Sequence, residues 1–117
     1  MKRSLAALVS VLAPVLALAE PTTWNLDSSH TQSNFTVRHL VISNVRGEFR
    51  STTGVVKIDD QDPSRSSVEA VIDAASIHTR EEKRDAHLRS ADFFDVEKHP
   101  KITFRSTKVE RSRSLAN

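Results

Sequence analysis

"VRGEFRSTTGVVKIDD", residues 45–60, decides the fold class. Val45, Gly47 and Phe49 fall on one parity, and Val56 and Ile58 on the other. Alternation with period two sends successive side chains to opposite faces of a strand, so the run predicts β structure and not helix. The change of parity predicts a bend. Gly54 stands between the two halves, and a glycine inside a strand pattern marks a bulge or a tight turn. A strand curved there suits a barrel.

The same rhythm extends in both directions. Upstream, "TTWNLD" (22–27) carries Trp24 and Leu26, and "SNFTVRHL" (33–40) sets Phe35, Val37 and His39 against Thr36 and Arg38. Leu40, Val41 and Ile42 continue it as a mixed apolar stretch. Downstream, "DDQDPSRSS" (59–67) clusters Asp, Pro and Ser and reads as a turn. "VEAVIDAASI" (68–77) then places Val68, Ala70 and Ile72 on one face, and "KITFRSTKVE" (101–110) alternates Ile102 and Phe104 with Thr103 and Arg105. Five or six strands are expected, all antiparallel, with no internal repeat.

One segment departs from this pattern: "TREEKRDAHLRSADFFD", residues 79–95. Thr79 and Glu82 have the spacing of a capping box, which predicts a helix from about Arg80. Asp85 precedes Arg89 by four residues, a favourable helical pair. Apolar positions are too few for a core helix, so it belongs on the surface, ending near Ser90 before a short turn with Phe93 and Phe94. His99-Pro100 leads into the next strand, because the residue before proline is pushed toward extended geometry.

Composition narrows the function. Residues 1–19, "MKRSLAALVSVLAPVLALA", have a basic start, an apolar run and an Ala-Leu-Ala ending. This predicts an export signal cleaved near Ala19, with residues 20–117 acting in the periplasm or as a secreted protein. The apolar run is short for a stable membrane span. Removing Lys2 and Arg3 from seventeen basic residues, against fifteen acidic ones, leaves a formally neutral chain. Nucleic-acid binding is therefore not expected, since it needs a basic surface to displace counterions. The cluster Arg105, Lys108, Arg111 and Arg113 reads as a solvated terminal segment. Cysteine is absent, so neither disulfides nor thiolate-bound metals hold the domain together.

Catalytic furniture is sparse. His30, His39, His78, His87 and His99 include no short ligand pair, so a metal site would have to be assembled from distant strands. His30 and His39 read instead as part of a polar rim, with Arg84, Asp85 and His87. Gly47 and Gly54 are too far apart to cradle phosphate, and the chain has no G-x-S-x-G elbow. Asp92 and Asp95 read as turn and capping residues. Asn34-Phe35-Thr36 matches a glycosylation sequon by chance, since Phe35 falls within a strand. An apolar sheet face closed on itself remains; it either packs solid or encloses an apolar ligand.

Several stretches resemble the YceI-like family, exported bacterial proteins associated with polyisoprenoid binding. They are "WNLDSSHTQSNFTVRHL", "VRGEFRSTTGVVKID", "SSVEAVIDAASIHT" and, most specifically, "RDAHLRSADFFDVEKHPKITFRS". The resemblance covers the mature chain to about Val109. It implies an all-β, lipocalin-like, up-and-down antiparallel barrel with a short helical insertion and an elongated apolar interior for a long isoprenoid chain. Phe93 and Phe94 would turn inward. The expected lining is Phe35, Val37, Phe49, Val56, Ile58, Ile72, Leu88, Phe93, Phe94, Ile102 and Phe104. Such barrels have about eight strands, so this chain is expected to lack the C-terminal strands and to be a fragment. Its open edges would invite aggregation or pairing with a second copy, a homodimer included.

The expected function is a non-enzymatic carrier of isoprenoid lipids, such as polyprenyl chains, isoprenoid quinones or their precursors, with no cofactor. The alternatives are a metal- or histidine-dependent hydrolase and a solid-cored, stress-related interaction module.

Overall fold

A computed structural model describes residues 17–112. The expected export signal over residues 1–19 lies almost wholly outside the described residues, as does Arg113. The elements are β1 (Thr22–Asn25), β2 (Ser33–His39), β3 (Ser43–Phe49), β4 (Thr52–Ile58), β5 (Ser67–Asp73), β6 (Ile77–His78), α1 (Glu82–Arg89) and β7 (Lys101–Arg105). Among the described residues seven strands thus replace the five or six expected. They form a four-stranded sheet, ordered β1-β4-β5-β7, and a three-stranded sheet, ordered β2-β3-β6. Every pairing is antiparallel. Among the described residues the sheets do not close into a barrel.

The two sheets are joined by a single bent ribbon. β3 continues into β4, and β5 continues into β6, so that Phe49 pairs with Ile77 on one side of the bend and Thr52 with Ile72 on the other. At the bend itself the Arg50 N–H donates to the Ser76 carbonyl (3.1 Å) and the Asp73 N–H to the Ser51 carbonyl (2.9 Å). Ser76 Oγ also accepts from the Ser51 N–H, at 3.1 Å. A 3-10 turn over Ala74–Ser76 takes up the extra length of the outer strand.

The expected bend at Gly54 is therefore corrected to Arg50–Ser51. Gly54 lies in regular register opposite Ala70. Its glycine serves close approach: a Cβ there would lie 2.3 Å from the Glu69 carbonyl oxygen and 2.9 Å from Leu26 Cδ1. Gly47 serves a different contact. The Phe35 ring lies over it, so that a Cβ would meet Cζ at 2.3 Å.

The loop between β4 and β5 is the turn read from its Asp, Pro and Ser residues. Asp62 caps a 3-10 turn over Pro63–Arg65. Buried Asp59 accepts from the Gln61 and Asp62 amides at 3.0 and 2.9 Å, and its other oxygen faces Arg65 at 3.2 Å.

Helix α1 begins two residues later than expected, and a different residue caps it. Glu81 accepts from the Lys83 and Arg84 amides at 3.1 and 2.6 Å. Thr79 is engaged elsewhere. Its N–H donates to Asp85 Oδ1 at 2.9 Å and its hydroxyl donates to the same oxygen. Arg84 Nε donates to the Thr79 hydroxyl (2.8 Å) and Arg84 Nη2 to the Thr79 carbonyl (2.7 Å). Both Thr79 and Asp85 are buried. Between them, Arg80 takes a left-handed φ of 66°, which reverses the chain so that the helix can fold back on β6.

The expected Asp85–Arg89 pair does not form. Arg89 instead donates to the carbonyls of Ala75 and Ile77 at 2.9 and 3.0 Å. Carbonyls left free by the short β6 attract the guanidinium more closely than the carboxylate, which Thr79 already occupies. As expected, the helix is a surface element; its one buried residue is Asp85.

Among the described residues the fully packed apolar core is small, comprising Phe49, Ala74 and Ile77, all at the bend. Two stability measurements follow. Asp85→Ala strands the buried amide and hydroxyl of Thr79, so urea unfolding should show a loss of about 1–3 kcal/mol; an unchanged midpoint would mean that the helix is held by other contacts. Gly54→Ala should cost about 1–3 kcal/mol and more than Gly47→Ala, because the Phe35 ring can swing aside whereas the β5 backbone cannot. The reverse order would sink this reading of the two glycines.

Candidate functional site

Strand register sorts the apolar side chains onto faces. In the four-stranded sheet three rows lie on one side: Trp24, Val56 and Val68; Gly54, Ala70 and Phe104; and Thr52, Ile72 and Ile102. In the three-stranded sheet Phe35, Val37, Val45, Gly47, Phe49 and Ile77 share one side. The two sides meet at the bend, where the Ser33 and Thr52 hydroxyls hydrogen-bond at 2.9 Å. Phe49 and Ile77 are buried there. One apolar surface therefore runs across both sheets.

Aromatic rings cross it near the bend. Phe35 and Phe49 have centroids 5.6 Å apart and are tilted by 48°. Phe94, from the turn after α1, meets Phe49 edge-on at 5.6 Å and 87°. That turn is built from the backbone, with the amides of Phe93 and Asp95 donating to the Ser90 carbonyl at 3.1 and 2.9 Å. Phe94 is thereby swung toward the sheets.

Phe93 goes the other way. It packs edge-on against His87, with centroids 4.9 Å apart, and is 58% exposed. The two adjacent phenylalanines expected to turn inward together are split. Leu88 is half-buried in the last turn of α1. Of the other expected lining residues, Phe35, Val37 and Phe49 lie on the shared side of one sheet. Val56, Ile58, Ile72, Ile102 and Phe104 lie on the shared side of the other.

Trp24 and Val68 also stand on this surface, though the sequence reading did not include them. The signal was available in the parity: a strand placing Leu26 against Gly54 also places Trp24 opposite Val56. Much of the surface is uncovered among the described residues, with Trp24 59%, Phe104 58%, Val37 54% and Ile58 41% exposed.

The polar residues do not gather into a rim. His30 Nδ1 lies 2.7 Å from Asp27 Oδ2 in an exposed turn. The Ser29 hydroxyl, His30 and the Ser29 amide, in that order, hold the Asp27 carboxyl below the usual carboxylate range. His39 is exposed at the end of β2. Asp85 is buried beneath Thr79, with His78 Nδ1 3.5 Å from its second oxygen. Arg84 is bound to Thr79. His87 Nε2 faces Asp92 at 2.8 Å. Among the described residues, no group of three His, Cys, Asp or Glu side chains is placed to hold a metal ion.

The opposite face of the three-stranded sheet is polar. A groove of about 770 Å³ runs there between Asn34, Arg46, Glu48, His78 and Arg84. Its lining is mainly polar and charged, with Phe35 and Val45 also bordering it. No helix among the described residues is long and apolar enough to cross a membrane.

Comparison with known proteins matches this arrangement. The UPF0312 protein of Pectobacterium atrosepticum is 37% identical over 114 residues, covering 95% of this chain and 59% of its own length. Protein YceI of Escherichia coli O157:H7 is 36% identical over 85 residues, covering 73% of this chain and 44% of its own. The chain thus spans 59% of the length of the first relative and 44% of the second. Burkholderia cenocepacia BcnA has a similar fold, with a TM-score of 0.62 at 22% identity over 74% of this chain and 52% of that one. The Campylobacter jejuni YCEI protein superposes with a TM-score of 0.56 at 37% identity over 74% of this chain and 50% of that one. A family model for the YceI-like domain matches residues 24–116. With its open antiparallel sheets, short helix and match across nearly the whole described region, the chain belongs to the YceI-like domain family.

Proposed function

We propose that this protein is a non-enzymatic carrier that holds the chain of an isoprenoid lipid along its apolar face. The observation that carries the reading is the continuity of that face across the bend, from Trp24 and Phe104 through Ile72 and Phe49 to Phe35 and Val37. Each methylene removed from water contributes about 0.8 kcal/mol, so a long polyprenyl chain gains affinity in proportion to the length it lays on this surface.

No reacting group is needed for such binding. The histidines along the chain are engaged separately, with Asp27, Asp85 and Asp92, or lie exposed, and none lies on the four-stranded sheet's part of the shared apolar face, beside Trp24, Ile72 or Phe104. Flat rings and branched aliphatics suit methyl-branched isoprene units, because they offer dispersion contacts without demanding a fixed headgroup. Export before residue 20 and action in the periplasm belong to the same proposal; its support is the basic, then apolar, sequence of residues 2–19.

Organic extracts of the protein purified from its bacterial host should contain a polyprenyl compound by mass spectrometry. Phe104→Asp, which sets a carboxylate on the exposed part of the face, should lower uptake of an added isoprenoid quinone on the order of tenfold or more. An empty extract together with no quinone uptake would exclude the carrier role.

A further inference from the structure

We propose that the tip of the β2–β3 hairpin is a membrane-docking element that inserts Leu40, Val41 and Ile42 into an anionic bilayer surface. These three consecutive aliphatic residues are 74%, 86% and 90% exposed. They project from the end of a regular seven-residue ladder that runs from Ser33–Phe49 to His39–Ser43. Their exposure has no counterpart in the packing of the sheets.

The turn makes this choice of residues costly. The Ile42 N–H donates to the His39 carbonyl at 3.3 Å, closing a four-residue turn. Both central residues have left-handed φ, 50° at Leu40 and 64° at Val41. Asn-Gly is the pair that suits such a turn, and a β-branched residue at positive φ is a genuine outlier. Folding alone would favour polar residues with conformational freedom. Aliphatic side chains occupy the tip despite both strain and exposure, a combination that belongs to sites of interaction.

Charge selects the partner. From Arg38 to Arg46 there are two arginines and His39 but no acidic residue. Arg38 pairs with Asn44 and Arg46 with Thr36, so the two guanidinium groups leave the same face of the hairpin just behind the tip. Neither forms an ion pair among the described residues. Cations placed behind an apolar tip match lipid phosphates above acyl chains. Tip-to-tip contact with a second copy would instead bring four arginines together. This docking role is independent of whatever occupies the apolar face of the sheets.

Flotation of the intact chain with phosphatidylglycerol-containing vesicles tests the proposal. The wild type should float with them, and far less with phosphatidylcholine alone. Leu40→Asn combined with Val41→Gly supplies the preferred turn pair, so it should keep or raise the thermal midpoint while weakening association about tenfold or more. Arg38→Gln and Arg46→Gln should each weaken it about fivefold on anionic vesicles. The proposal is overturned if the wild type does not float, or if the turn variant floats equally well. It is also overturned if sedimentation shows that the turn substitution abolishes self-association of the chain while vesicle binding is unchanged.

Discussion

The structure depends on one constraint: two long strands bend at the same level while remaining paired. Arg50 and Ser51 on one strand, and Ala74 to Ser76 on the other, take up the bend, with the amides of Arg50, Ser51, Asp73, Ala74 and Ala75 all hydrogen-bonded. The inward parity passes from Phe49 to Thr52 on the first strand and from Ile72 to Ile77 on the second. Because both strands change parity together, the apolar sides of the two sheets face a common region. If one strand alone had shifted, its side chains beyond the bend would have pointed to solvent.

The helical insertion is secured by the same end of the ribbon. Thr79 follows β6 directly, and its three polar groups are taken by Asp85 and Arg84 from the first two turns of α1. Arg89 returns to the carbonyls of Ala75 and Ile77 on the far side. A helix with almost no apolar face is held by polar cross-links instead of burial, and the turn that follows can then present Phe94 to Phe49. The charged run beside the two phenylalanines is thus a clasp that aims one aromatic ring at the apolar surface.

The strands and their faces were legible because period-two alternation is set by local geometry. Val56, Ile58 and Ile72 fall on the shared side as their parity predicted. The position of the bend was not, since Gly54 is a stronger local signal than Arg50–Ser51, and only the partner strand shows that Gly54 is reserved for close approach to Glu69 and Ala70. Thr79 and Glu82 have capping-box spacing, but the tertiary contact with Asp85 outweighs it and Glu81 takes the cap. The divergence of Phe93 and Phe94 depends on one turn's backbone, which spacing does not encode. The edge-on contact of His87 with Phe93 depends on the same turn, so a rim position is all that its place in the sequence suggests.

A lipid lying on the shared surface would touch alternate residues of each strand and no others. Photo-crosslinking with a diazirine-bearing polyprenyl probe, followed by peptide mass spectrometry, reads that alternation directly. Adducts should fall on Trp24, Val56, Ile72 and Phe104 and be absent from Val55 and Val71, their apolar neighbours on the other side of the same sheet. Equal labelling of both sets, or labelling confined to Val55 and Val71, would contradict the account.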